Sequence, residues 1–144
     1  MTDARPNTRN NAAFDLRYHL VLVTKDRRPA LTEAILADLE RIFAEVLAGW
    51  RCRLAEFGGE ADHVHLLFEA HPAMELSSLV NSLKTASSRR IRKAYASHLA
   101  QFYWKPVFWH GAYYVGSVGS ASLETVRGYL ERQGRGRWPK ADRA

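Results

Sequence analysis

Apolar residues alternate along the start of the chain, with Phe14, Leu16, Tyr18, Leu20 and Leu22 at every second position. Beyond the charged turn Lys25-Asp26-Arg27-Arg28-Pro29 the spacing changes to that of a helix, through Ile35, Leu36, Leu39, Ile42, Phe43, Val46 and Leu47. A period of two places side chains on one face of a strand, and a period of about 3.6 places them on one stripe of a helix. The same switch recurs downstream. Gly49 is a helix stop, and residues 51–57 and 63–70 read as two strands separated by a turn or bulge at Gly58-Gly59. A second helix begins near Met74 with Leu76, Leu79, Val80 and Leu83 as its buried stripe, and the aromatic, β-branched residues 106–118 read as a fourth strand. After the small-residue loop Ser117 to Ser122, Ser122 can cap a last helix reaching Gln133, and Gly134 can stop it. This order predicts an α+β, ferredoxin-like βαββαβ fold: an antiparallel sheet, helices on one face, the other face free for a ligand or partner, and an added C-terminal helix. Residues 1–12 read as a loose polar arm and residues 134–144 as a mobile basic tail.

The chain has 144 residues, enough for one domain with a real core. Its single cysteine, Cys52, excludes an internal disulfide and a CxxC motif, and the expected compartment is the cytoplasm. No apolar run approaches a membrane span, so no membrane association is expected. The net charge of +6 is unevenly placed. Residues 1–75 carry a net −3, whereas residues 76–123 carry Lys84, Arg89, Arg90, Arg92, Lys93 and Lys105 and no acid. Tyr95, Phe102, Tyr103, Trp104, Phe108, Trp109, Tyr113 and Tyr114 fall in the same acid-free stretch. Cations mixed with aromatics suit a surface that tracks a nucleic-acid backbone and stacks its bases. A solvated helix face followed by a core strand would give the same composition.

Two of the six histidines form His63-Val64-His65 inside the third strand, which puts both imidazoles on one face while Val64, Leu66 and Phe68 enter the core. Such a pair can chelate one divalent cation, and can equally be two polar residues on an exposed sheet face. Tyr129 and Gln133, four residues apart, share one face of the last helix. A carboxamide oxygen suits a hard cation and a phenol is a possible nucleophile. Taken alone, Tyr129 also fits an ordinary surface tyrosine.

Asp62-His63-Val64-His65-Leu66-Leu67 resembles the HUH motif, and Tyr129-Leu130-Glu131-Arg132-Gln133 resembles the YxxxQ helix of single-tyrosine HUH transposases. These are the small TnpA-type transposases of bacterial and archaeal insertion sequences. The likeness extends to Tyr18-His19-Leu20-Val21 with Thr24-Lys25 and Arg27-Arg28, and to Phe108-Trp109 through Val118-Gly119. Glu60-Ala61 stands where Met-Pro is common in the family. The resemblance implies one catalytic domain over residues 13–133 and an enzyme that cleaves and rejoins single-stranded DNA carrying hairpin ends. It implies Tyr129 as the nucleophile, and His63, His65 and Gln133 as ligands of one Mg²⁺ or Mn²⁺. It further implies a homodimer in which the Tyr129 helix of one subunit completes the partner's site. Arg27, Arg28, Lys84, Arg89, Arg90, Arg92 and Lys93 are then candidate DNA contacts, and Asp62 either orients a ligand histidine or caps the turn.

Two other readings compete. A replication initiator or relaxase of the HUH type also uses a histidine cluster and tyrosine, but the short chain and the Tyr129–Gln133 spacing argue against it. A non-catalytic nucleic-acid-binding module, domesticated or otherwise, would share the element order, yet no RNP-like string is present. A zinc deaminase is excluded, because the H-x-E and P-C-x-x-C elements are absent.

Overall fold

A computed structural model describes the backbone of residues 7–9 and 12–14 and the full structure of residues 16–118. The alternating segment becomes the central strand of a sheet. Asn7–Arg9 (β1) and Ala12–Phe14 (β2) pair as a small ribbon, so residues 7–9 and 12 of the stretch read as a loose arm are strand. Phe14 ends that ribbon, and the main strand Arg17–Thr24 (β3) starts after it. There follow the helix Glu33–Gly49 (α1), the hairpin Arg53–Glu60 (β4) and His63–Glu69 (β5), the helix Leu76–Ala94 (α2), a short helix Ala96–Leu99 (α3) and the strand Trp109–Ser117 (β6). The sheet order is β4-β5-β3-β6, antiparallel at each junction. This is the α+β, ferredoxin-like arrangement that the pattern predicts. The expected helix from Ser122 to Gln133 and the basic tail lie outside the described residues.

Each helix has a sequence reason to start where it does. The Thr32 hydroxyl accepts a hydrogen bond from the Ile35 amide at 3.1 Å, and the Glu75 carboxylate accepts one from the Ser78 amide at 2.8 Å. The apolar stripe of α1 (Ile35, Leu39, Ile42, Phe43, Leu47) and that of α2 (Leu79, Val80, Leu83, Ile91) are buried against Leu20, Leu22, Val64, Leu66 and Phe68. A buried polar contact ties α2 to the sheet. The buried Ser87 hydroxyl donates to the Leu83 carbonyl at 2.6 Å and accepts from the Trp109 indole at 2.9 Å.

The second sheet face is less open than alternation alone implies. Val21 and Val23 of β3 are buried as completely as Leu20 and Leu22, and His19 is buried beside them. In register, Val21 sits between His65 of β5 and Tyr114 of β6, and two large neighbours close over a central valine.

Tyr103 anchors the segment between α3 and β6. Its hydroxyl donates to the Lys25 carbonyl at 2.8 Å, and burial pushes its pKa up to about 12. A phenol whose folded pKa lies above its ordinary 10 stabilises the fold below pH 10, and that contribution is lost as pH rises towards 12. The melting temperature is therefore expected to fall over this window. Tyr103→Phe should flatten the alkaline limb, and thermal melts of both proteins from pH 8 to 12 would check it, a parallel fall contradicting the assignment.

Candidate metal and DNA site

The β4–β5 hairpin builds the site. Burial along β5 alternates strictly, with Val64, Leu66 and Phe68 inside and His63 and His65 on the opposite face. Gly58 and Gly59 do not turn the chain; they lie within β4, opposite His65 and Val64, and the turn is at Ala61-Asp62. The register shift comes earlier, between Leu54 and Glu56. Both glycines are needed for space. A Cβ on Gly58 would lie 2.6 Å from His65 Nε2, and one on Gly59 would lie 2.8 Å from a Leu36 methyl and 2.9 Å from the His63 carbonyl. The His65 imidazole therefore lies across the bare backbone of Gly58. Nothing in the sequence around Gly58 announces this, although a glycine directly across a hairpin from an HxH residue is the signal to look for.

The structure joins Asp62 to His63 and to Arg27. One Asp62 carboxylate oxygen is 2.9 Å from His63 Nδ1, and the other accepts from Arg27 Nε at 3.1 Å and from its terminal nitrogen. Arg27 thus lies 35 residues from its partner in sequence and against it in space. Getting there has a conformational cost, because Asp26 and Arg27 both adopt positive φ (58° and 54°). Burial alone would raise the Asp62 pKa. The hydrogen bonds from His63 and Arg27 and the Arg27 charge outweigh it and hold the carboxyl below its ordinary value. The carboxylate therefore stays ionised, and it favours a proton on His63 Nδ1, which leaves Nε2 as the lone-pair nitrogen. At His65, burial foremost and the neighbouring His63 second push the pKa down, against Glu56, which raises it. A depressed pKa keeps His65 neutral, the form that binds metals.

These features fit a divalent cation: one imidazole oriented by a carboxylate and a second held neutral in a cradle that a methyl would fill. Among the described residues no third histidine, cysteine, aspartate or glutamate joins the pair. Tyr129 and Gln133, the nucleophile and third ligand expected from the sequence, lie outside the described residues.

The structure scatters the expected DNA-contacting cations. Arg28 is exposed at the turn after β3. The Lys84 ammonium is half-buried, donates to the carbonyls of His110 at 2.9 Å and Gly111 at 3.0 Å, and burial lowers its pKa. It ties α2 to β6. Arg90 pairs with Glu45 of α1 at 2.9 Å. Arg89 and Arg92 instead line a groove of about 380 Å³ between α2 and the Pro106–Trp109 segment, with Lys84 and the hydroxyls of Thr85 and Ser88 alongside. Lys93 is exposed in the last turn of α2.

A ferredoxin-like sheet presenting a carboxylate-oriented histidine pair defines the class of HUH-type proteins. The match to the IS200-like transposase family model covers residues 12–133, and the chain belongs to that family of single-tyrosine transposases. It is 29% identical over 120 residues to the ISDra2 transposase TnpA of Deinococcus radiodurans, covering 83% of this chain and 85% of that protein. It is also 29% identical over 120 residues to the IS200 transposase of Salmonella typhimurium, covering 83% and 78%. Among solved structures, a Deinococcus radiodurans R1 protein described as a candidate transposase superposes with a TM-score of 0.77 at 29% identity, over 88% of this chain and 97% of that one. A REP-associated tyrosine transposase solved with a REP hairpin shares the fold, at a TM-score of 0.55 and 11% identity over 90% of this chain and 68% of the other. Among the described residues no helix is long and apolar enough to cross a membrane.

Proposed function

We propose that this transposase cleaves and rejoins single-stranded DNA at insertion-sequence ends through a covalent 5′-phosphotyrosine on Tyr129. The observation that carries the reading is the His63–His65 pair on one sheet face, with the Asp62 carboxylate on His63 Nδ1. His63, His65 and Gln133 would hold one Mg²⁺ or Mn²⁺. Such an ion, when bound, screens the anionic phosphodiester and orients it for in-line displacement. The Tyr129 phenolic oxygen attacks the phosphorus, the bond to the 3′ oxygen breaks, and that oxygen takes up a proton to leave as a free hydroxyl. The phosphotyrosine bond keeps the energy of the phosphodiester, so the 3′-hydroxyl of another strand can attack the same phosphorus and release Tyr129 without ATP.

Hairpin-ended single-stranded DNA is the proposed partner, supported by the acid-free basic stretch and by the groove that Arg89 and Arg92 line. We read the protein as a homodimer in which the Tyr129 helix of one subunit completes the other's site. The small residues Gly116, Ser117, Gly119 and Ser120 before that helix are compatible with such an exchange.

The test incubates the purified full chain with Mg²⁺ and 3′-labelled single-stranded DNA carrying a hairpin end. A labelled covalent band that disappears in Tyr129→Phe and with EDTA supports the reading. An adduct that persists in Tyr129→Phe removes the nucleophile. One that forms normally in His63→Ala and His65→Ala removes the metal site.

A further inference from the structure

Trp104 is 88% exposed and is the exposed large hydrophobic side chain among the described residues. Its neighbours are fixed. Tyr103 on one side is buried and bonded to the Lys25 carbonyl, and its amide donates to the Leu99 carbonyl at 2.9 Å. On the other side the Val107 amide donates to the Lys105 carbonyl at 2.8 Å, and Phe108 is fully buried against Trp109. Core packing therefore determines where the turn sits but leaves the indole outside. The Lys105 ammonium lies 5.3 Å from the indole ring centroid, and Pro106, two residues from Trp104, is already a wall of the groove lined by Arg89 and Arg92. An indole with a cation beside it, on the segment that runs into the wall of a cationic groove, has the charge complementarity a single strand needs: phosphates in the groove, a base on the ring.

We infer that Trp104 is a stacking platform for one unpaired base of the DNA strand whose phosphates occupy the groove of Arg89 and Arg92. This rests on the single-stranded DNA reading above and adds to it a binding residue of different chemistry. Stacking is tolerant of base identity, so the platform adds affinity and register but no sequence preference. It is also insensitive to salt, whereas arginine–phosphate contacts are not.

The difference gives the test. Binding of the full chain to a fluorescein-labelled single-stranded oligonucleotide is followed by anisotropy over a series of salt concentrations. Trp104→Ala is expected to weaken binding about ten-fold or more with the slope of log K against log salt unchanged, and Trp104→Phe to recover most of the loss. Arg89→Ala or Arg92→Ala should instead weaken binding and reduce the slope. If the unmodified protein fails to bind the oligonucleotide, the DNA reading falls and the platform falls with it. If the unmodified protein binds and Trp104→Ala binds equally well, only the platform falls. A change from dimer to monomer in Trp104→Ala on sedimentation would also overturn it, making the indole a contact between copies.

Discussion

Gly58→Ala is expected to reduce formation of the covalent DNA adduct by about 100-fold or more while leaving the melting temperature nearly unchanged. Alanine is at least as acceptable as glycine in a strand, and Gly58 does not sit at positive φ, so the backbone has no reason to reject it. The objection comes from one side chain. The new methyl would be 2.6 Å from His65 Nε2 and 3.1 Å from Cε1, well inside contact distance. His65 is half-buried on a strand between β4 and β3, and the nearest atoms the methyl meets belong to its ring alone, so the ring rotates away while the hairpin stays paired. That rotation moves the nitrogen of a proposed ligand by about an ångström or more, and misplacement on that scale is costly to an oriented reaction. Mn²⁺ titration calorimetry should show the same loss, which places the effect at the metal and not at the DNA. An adduct yield equal to that of the unmodified protein would show that the imidazole's position across Gly58 is not the working one.

How far the sequence reveals this site depends on the range of the interaction involved. The alternation that sets His63 and His65 opposite Val64, Leu66 and Phe68 is local, and it is legible within the single strand His63–Glu69. The α1 and α2 stripes are legible for the same reason. The Gly58-Gly59 pair is locally ambiguous, because glycine marks a turn by conformational freedom and a crowded strand by absence of a side chain. Only the cross-strand partners His65 and Val64 show that the second applies. The Arg27–Asp62 pair is illegible, since it joins the end of β3 to the β4–β5 turn. Charge counting treats Arg27 like Arg28, yet one is on the carboxylate that holds His63 and the other is exposed. Lys84 and Arg90 differ from Arg89 and Arg92 in the same way. Their positions along α2 leave Arg89 and Arg92 on the groove, tie the Lys84 ammonium at the same groove to the backbone of β6, and direct Arg90 to α1. Val21 likewise owes its burial to its place between His65 and Tyr114 on the neighbouring strands, which a single strand's periodicity does not contain.

Asp62→Asn is the second large effect expected, about 10- to 100-fold in Mn²⁺ affinity with a matching loss of adduct at limiting metal. The amide keeps the shape of the carboxylate but not its charge. On the proposed metal reading the aspartate has two effects: it favours the proton on His63 Nδ1, so that Nε2 carries the lone pair, and it neutralises Arg27 beside the proposed cation site. The substituted carboxamide could still accept from Arg27 or from His63, but an uncompensated guanidinium would then stand beside the metal. Removing both charges separates the two roles. Asp62→Asn with Arg27→Ala should regain the part of the loss due to repulsion and retain the part due to the unoriented imidazole, so the double variant should bind Mn²⁺ more tightly than Asp62→Asn alone and less tightly than the unmodified protein. Excess Mn²⁺ should restore the adduct in each of these variants, as it cannot in Tyr129→Phe. If Asp62→Asn binds Mn²⁺ with unchanged affinity, the carboxylate only caps the turn, and the orientation of His63 must come from elsewhere.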